Sequence, residues 1–207
     1  MKKSRADTAK TRKRIVEIAA STFKSKGISA TGVSEIMAAA GLTHGGFYRH
    51  FTCKEDLVAE ACASSMDALV SSAEAAAAGG HEALLQHFEK FMSTECGDDT
   101  LYECPLVAMG SELVRANAET RRVASQSVEE LFDILAGRPG PTDTRGQREE
   151  AIFTLASMIG AASMARIVDD PNLADRILSV AKKRLTSPSQ GYSAQRPVGE
   201  KALASLF

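Results

Sequence analysis

Tryptophan is absent from this 207-residue chain, and aromatic residues make up only 5% of it. Alanine is abundant and runs of β-branched residues are short, so helix is favoured over sheet. No stretch of about 18 or more residues is purely apolar, which argues against a membrane-spanning helix. The start Met1-Lys2-Lys3-Ser4-Arg5 is basic, but no apolar segment follows it. A secretory signal is therefore not expected, and the cytoplasm is the expected location. The cysteines Cys53, Cys62, Cys96 and Cys104 form no CxxC and no paired Cys/His spacing, so neither structural zinc nor a disulfide framework is expected. A Gly-rich phosphate loop, HExxH and GxSxG are missing as well. The neighbours His87/Glu89 and Glu149/Glu150 read as solvated surface. Neither an enzyme nor a bound metal or cofactor is expected. No internal repeat is visible.

What is present is an uneven distribution of charge. The whole chain carries a net −1, yet residues 1–54 hold eleven Lys/Arg against Asp7, Glu17 and Glu35, a net of +8. The remainder holds 14 basic and 23 acidic residues, a net of −9. A basic head on an acidic body suits a nucleic-acid-binding module joined to one that does not bind nucleic acid. A merely solvated basic N-terminus is the plainer alternative.

Hydrophobic spacing divides the chain into helices. Ile15, Ile18, Ala19, Thr22 and Phe23 fall on one stripe of a first helix running from about Thr8 to Gly27. Val33, Ile36, Met37 and Ala40 mark a short second helix that Gly41 breaks, with Leu42 anchoring the turn. Thr43 is placed to cap a third short helix ending near Phe51. Thr52 and Glu55 have the spacing of a capping box opening a long fourth helix that frays by Gly79-Gly80. Further helices are expected at about 81–95, from Pro105 to about 115, and at 118–136, 145–168 and 172–186. The last two carry Ile152, Leu155, Ala156, Ile159 and Ala162, then Leu173, Ile177, Val180 and Ala181. From Ser187 onward Ser, Gly, Gln and Pro dominate, and a disordered tail over 187–207 is expected.

Two short amphipathic helices joined at Gly41 suggest a helix-turn-helix, and the third helix sharpens the suggestion. Thr43-His44-Gly45-Gly46-Phe47-Tyr48-Arg49-His50-Phe51 places two glycines in its first turn. Each costs about 1 kcal/mol against alanine in helix propensity. Such a segment makes sense where backbone must press closely against another polymer. Its first-turn N–H groups are natural phosphate donors. Phe47 and Phe51, four apart, can face the core; contact of Phe47 with a thymine methyl is the alternative. For Tyr48 a phosphate contact through the hydroxyl is favoured over plain packing, and for His50 phosphate contact and solvated surface are balanced. Lys54 sits against the positive end of a helix dipole, where a nearby phosphate would reverse an unfavourable sign.

Thr11-Arg12-Lys13-Arg14-Ile15, Phe23-x-x-x-Gly27, Val33-x-x-Ile36, the run Ala40 to Phe51 and Lys54-Glu55-Asp56-Leu57 together resemble the DNA-binding domain of the TetR/AcrR family of transcriptional regulators. The resemblance spans about residues 8–58. It implies an all-α fold of about nine helices. A three-helix helix-turn-helix domain (1–53) would precede a larger helical effector-binding and dimerisation domain (54–186). It further implies a homodimer on a palindromic double-stranded operator, a third helix in the major groove, and a repressor released by a small molecule. Carried over by position, the DNA-facing set is Thr31, Gly32, Ser34, Thr43, His44, Gly45, Gly46, Phe47, Tyr48, His50 and Lys54. Two departures stand out. Gly32 replaces the usual hydroxyl cap, for which Thr31 could substitute. Gly46 occupies a position where a small side chain often reads a base, which shifts readout toward His44, Ser34, the N-terminal arm and DNA shape.

In the body the resemblance is one of length and helical rhythm, so residue roles there are read from chemistry. Dimerisation is expected through about 145–186, where Gly160-Ala161-Ala162-Ser163 permits close helix approach. Phe88, Phe91, Met92, Tyr102, Leu106, Met109, Leu113 and Met158 are bulky or adaptable apolar residues suited to an apolar effector pocket, although ordinary core explains each of them. Cys104, beside Pro105 at a helix N-terminus, offers a different regulator: a redox or electrophile sensor with an activated thiol.

Overall fold

The computed structural model describes residues 5–92, 104–137 and 144–186, and every regular element among them is a helix. In chain order these are α1 (Arg5–Lys26), α2 (Val33–Ala39), a short 3₁₀ helix (His44–Arg49), α3 (Lys54–Ala78), α4 (His81–Glu89), a 3₁₀ turn (Lys90–Met92), α5 (Pro105–Leu113), α6 (Ala118–Leu135), α7 (Thr144–Ile167) and α8 (Pro171–Thr186). The expected tail over 187–207 lies outside the described residues.

Two apolar cores organise these helices. The first draws Ile15, Ala19 and Phe23 from α1, Ile36 and Met37 from α2, Phe47 from the 3₁₀ helix and Phe51 just after it, and Leu57, Ala61 and Met66 from α3. Met109 and Leu113 of α5 complete it. The second gathers Leu69 and Ala73 of α3, Leu84 and Phe88 of α4, Leu131 of α6, Leu155, Met158 and Ala162 of α7, and Leu178 of α8. The helix α3 therefore passes from one core into the other between Met66 and Leu69. The packing of the head does not stop at residue 53, because five buried residues of α3 (Leu57, Val58, Ala61, Cys62, Met66) belong to the first core.

The helix ends follow backbone chemistry. Gly27 adopts φ +87° and its N–H closes on the Phe23 carbonyl at 2.9 Å, ending α1. After α2, the N–H of Leu42 reaches back to the Met37 carbonyl and that of Gly41 to Ala38, both at 2.9 Å, with Gly41 at φ +65°. This is a Schellman motif, which requires the left-handed residue that glycine supplies without penalty. Pro105 and Pro171 each occupy the first position of a helix, where no N–H is needed. Asn117 caps α6 by accepting the Thr120 N–H at 2.8 Å, a cap the apolar spacing does not reveal. The capping box expected at Thr52/Glu55 is not formed. Cys53 holds the cap position of α3 without a side-chain bond, and Asp56 rather than Glu55 accepts the Thr52 N–H, at 3.0 Å.

The apolar stripes of the last two helices are oriented differently from a simple core reading. Phe153 and Met164 on α7 and Leu173 and Val180 on α8 are exposed, and Leu178 is the residue of α8 buried in the second core. Ala161 and Ala162 pack inward within the chain, whereas Gly160 faces out. By length and composition α7 could cross a membrane, but Leu155, Met158, Ala161, Ala162 and Ala165 build one wall of the second core.

Leu131 has no exposed surface and sits at the centre of that core. Its replacement by alanine is expected to cost about 2–5 kcal/mol. In urea unfolding this appears as a lower midpoint at unchanged slope.

Candidate nucleic-acid interface

The segment from Thr43 to His50 stands on a buried base. Phe47 is 1% exposed and its ring stacks on Phe51 with centroids 5.4 Å apart. That places Phe47 in the core and removes the thymine-methyl alternative. With Phe47 facing in, His44, Gly45, Tyr48 and Arg49 face out, and Tyr48 is 66% exposed. The Tyr48 ring meets Phe47 edge-on at 5.3 Å and His44 at 6.1 Å, so the exposed ring is braced from both sides. His50 is half-buried beside Phe51.

This segment winds as a 3₁₀ helix, not as an α-helix. Thr43 takes the cap position and its carbonyl accepts the Gly46 N–H at 2.9 Å, but its hydroxyl makes no cap bond. Gly45 has open space where a side chain would be, and Gly46 would meet Met37 and Thr43 only at ordinary contact distance. Neither has a positive φ. The fold itself does not demand these two glycines.

Around this segment the head's cations divide into two groups. Arg12 forms a two-pronged ion pair with Glu60 of α3 and lies over the Phe51 ring at 4.2 Å. Arg14 donates to the Ala40 carbonyl at 2.7 Å, holding the end of α2, and Lys26 pairs with Glu35. These tie the head together. Arg5, Lys10, Lys13 and Arg49 are exposed, with Lys13 3.8 Å from Glu17.

Two residues expected at the interface are engaged elsewhere. Thr31 is 1% exposed and its hydroxyl donates to the Gly27 carbonyl at 2.7 Å, so it does not replace the missing cap at Gly32. Gly32 is the cap residue of α2, exposed and without a side-chain bond. Lys54 donates from Nζ to the Ile28 carbonyl at 2.7 Å. The cation at a helix start is thus compensated inside the chain. Ser34 remains exposed on the first turn of α2.

Sequence reading did not find Glu112. This α5 residue accepts the backbone N–H of Ile28 at 2.7 Å and of Ser29 at 2.6 Å, bridging 84 positions of sequence in the first case. Burial alone would raise its pKa. The amides of Ser29 and Ile28, with the Lys54 charge nearby, outweigh that and hold the carboxyl below its usual range. No local motif marks this contact, because its partners are main-chain groups.

In the body, Phe88, Met92, Cys104, Leu106 and Met158 converge on one small apolar cavity of about 20 Å³ between α3, α4, α5 and α7. Met109 and Leu113 do not reach it, since the far side of α5 turns them into the first core. Of the other expected pocket residues, Tyr102 lies outside the described residues and so does the side chain of Phe91. Cys104 is 7% exposed, and burial pushes its thiol up despite the nearby amides of Val107 and Leu106. The activated thiol expected at a helix start is overridden by desolvation.

Comparison with known proteins supports the head first. The model of the family described as bacterial regulatory proteins, tetR family, matches residues 15–61. The chain is 39% identical over 59 residues to the HTH-type transcriptional regulator AcrR of Shigella flexneri, covering 28% of this chain and 27% of that protein. It is 40% identical over 58 residues to the transcriptional repressor KstR2 of Rhodococcus jostii, covering 28% of each. The matched segment thus spans little more than a quarter of these relatives. Over nearly the whole chain the likeness is one of fold. A TetR-family regulator from Cytophaga hutchinsonii superposes with a TM-score of 0.70 at 20% identity, covering 91% of this chain and 100% of the other. AibR, solved in complex with isovaleryl coenzyme A and operator DNA, gives 0.58 at 20% identity, covering 86% and 100%.

The Glu112 clamp has a pH signature. A carboxylate with a lowered folded pKa contributes stability that is fully present above its ordinary value and is lost as pH falls through the folded value. The amide resonances of Ile28 and Ser29 are expected to titrate together, with a midpoint below the ordinary 4.5. A midpoint at or above 4.5 would contradict the geometry.

Proposed function

We propose, from the match of residues 15–61 to the tetR family of bacterial regulatory proteins, that the chain is a TetR-family DNA-binding transcriptional regulator, specifically a repressor released by a small apolar effector. The carrying observation is the outward face of the third helical segment, where His44, Gly45, Tyr48 and Arg49 project from a base fixed by Phe47. Laid in a major groove, this segment brings His44 to base edges and the Tyr48 hydroxyl to a phosphate. Gly45 and Gly46 let the backbone approach closely. Gly32, Ser34 and Thr43 border the same surface, and His50 flanks it. Thr31, Phe47 and Lys54 serve the fold beneath.

A palindromic operator needs two such heads about 34–36 Å apart. The exposed apolar face of α7 and α8, with Phe153, Gly160, Met164, Leu173 and Val180, is the surface through which two copies would join. Large exposed apolar patches mark association surfaces. In this reading residues 1–53 form the reading head and 54–186 the dimerising and effector-sensing body. The cavity lined by Phe88, Met92, Leu106 and Met158 is the effector's point of entry. The effector acts by preferring a dimer whose heads are misaligned. Gene regulation is the proposed activity, and no catalytic role is assigned.

The decisive experiment titrates the purified chain against palindromic duplexes that it has selected from a randomised pool, while sedimentation gives the mass of the bound species. Two copies per duplex are expected. The log–log dependence of affinity on salt should have a slope of about −0.9 per phosphate neutralised. Salt-independent binding, or one copy per duplex, would reject the reading.

Gly45 separates folding from recognition. Because its position is open and its φ is not positive, Gly45→Ala is expected to raise stability by up to about 1 kcal/mol. The same methyl would stand against the duplex, so affinity for the selected DNA falls. A variant that gained stability and bound equally well would show that the glycine is not a contact.

A further inference from the structure

We propose that Glu112 is a positioning residue for DNA binding: from the body, through α5, it fixes the turn between α1 and α2 and so sets how the head is presented. The inference rests on the DNA-binding reading above. It differs from that reading in assigning a role to a residue that carries the wrong charge to touch DNA.

The turn after Gly27 has few means of its own to hold a shape. The Ile28 and Ser29 amides follow a left-handed glycine and precede the start of α2, so no helix of the head satisfies them. Glu112 accepts both, at 2.7 and 2.6 Å. On the other side of the same peptide chain, Lys54 of α3 holds the Ile28 carbonyl at 2.7 Å. Ile28 is therefore gripped through its N–H by α5 and through its C=O by α3. Hydrogen bonds to a charged acceptor are about twice as strong as neutral ones. Gly27 is adapted to the same contact. A Cβ there would stand 3.0 Å from Glu112 Oε2, so a side chain would crowd the carboxylate as well as strain the backbone.

The residue that applies the grip is itself immobilised. Met109 and Leu113, on either side of Glu112 along α5, are buried in the first core. Leu106 packs against both cores. Near its other end α5 is tied to α7, where Arg166 donates to the Val107 carbonyl at 3.0 Å. The short helix α5 thus spans from the wall of the apolar cavity to the turn that leads into α2. The polar fastenings at its two ends make it a second member, beside α3, that links body and head.

Charge and position make opposite predictions here, which makes the proposal testable. Deleting a negative charge near a polyanion site should by itself strengthen binding. If Glu112 positions the head, its loss should weaken binding although no DNA contact is removed. The test compares the parent chain with Glu112→Gln and Glu112→Ala, all full length. Hydrogen exchange is followed at the Ile28 and Ser29 amides, and affinity is measured for a palindromic duplex selected by the parent chain. Exchange at those two amides is expected to accelerate in both variants. Both hydrogen bonds are lost in Glu112→Ala, and affinity should fall by roughly tenfold or more. Glu112→Gln, which keeps an acceptor, should fall in between. The salt slope should stay that of the parent, because no phosphate contact is lost. Helical content and melting identify a variant that fails to fold, and the isosteric Glu112→Gln then carries the comparison. Unchanged exchange, or variants that bind as tightly as the parent or more tightly, would overturn the positioning role alone. A parent chain that selects no duplex would overturn the DNA-binding reading and this inference with it.

Discussion

Sharing α3 between two cores is the constraint on which the rest of the molecule depends. A helix of 25 residues cannot bend sharply without a break such as a proline or a π-bulge, and α3 has no proline. Its first half is locked by Leu57, Ala61 and Met66 against α1 and α5, its second by Leu69 and Ala73 against α4, α6 and α7. Close packing converts this into rigidity, since apolar interiors have little void to absorb a displacement. A displacement of α3 within the second core would therefore be carried along the helix toward Lys54, where α3 meets the head.

The basic character of the head serves two purposes that composition alone cannot separate. Arg12, Arg14, Lys26 and Lys54 all have partners within the chain, and three of the four brace a backbone carbonyl or an aromatic ring. Most of these pairs are half-exposed, where individual ion pairs contribute little. Their value is orientation: Arg12 lies across Phe51, and Arg14 secures the carbonyl at the end of α2. The head's other exposed cations among the described residues, Arg5, Lys10, Arg49 and the Glu17-paired Lys13, form a smaller set than the net charge suggests. A polyanion would be met by a sparse, oriented array of groups rather than by a uniform basic surface.

Much of this was legible in the sequence because it depends on short-range spacing. The order of helices, the stop at Gly27, the Gly41 turn and the inward pairing of Phe47 with Phe51 all follow from periodicity and glycine placement. The misreadings have physical causes. Thr31 carries a hydroxyl where one was wanted, but burial and the nearby Gly27 carbonyl claim it. Lys54 looked uncompensated because its partner, Ile28, lies far away in sequence. Leu173 and Val180 form a helical stripe of the kind that usually faces a core, and spacing does not say whether that core lies in the same chain. Asp56 displaced Glu55 in the turn before α3 because it reaches the Thr52 amide. Glu112 left no trace, since contacts to main-chain amides impose no pattern on the residues contacted.

The near-closure of the apolar cavity has a consequence for what could occupy it. At about 20 Å³ it holds little more than a single water molecule, whereas organic ligands typically fill about 300–1,000 Å³. A guest must therefore act as a wedge, separating α5 from α7 before it gains contact of its own. The energy of opening that seam is subtracted from affinity, and Met92 and Met158 can remould around many outlines. Selectivity in such a site is graded by bulk and greasiness rather than by a fitted silhouette. On the proposed reading of the cavity as an effector site, chemically unrelated molecules of similar volume would press the same lever.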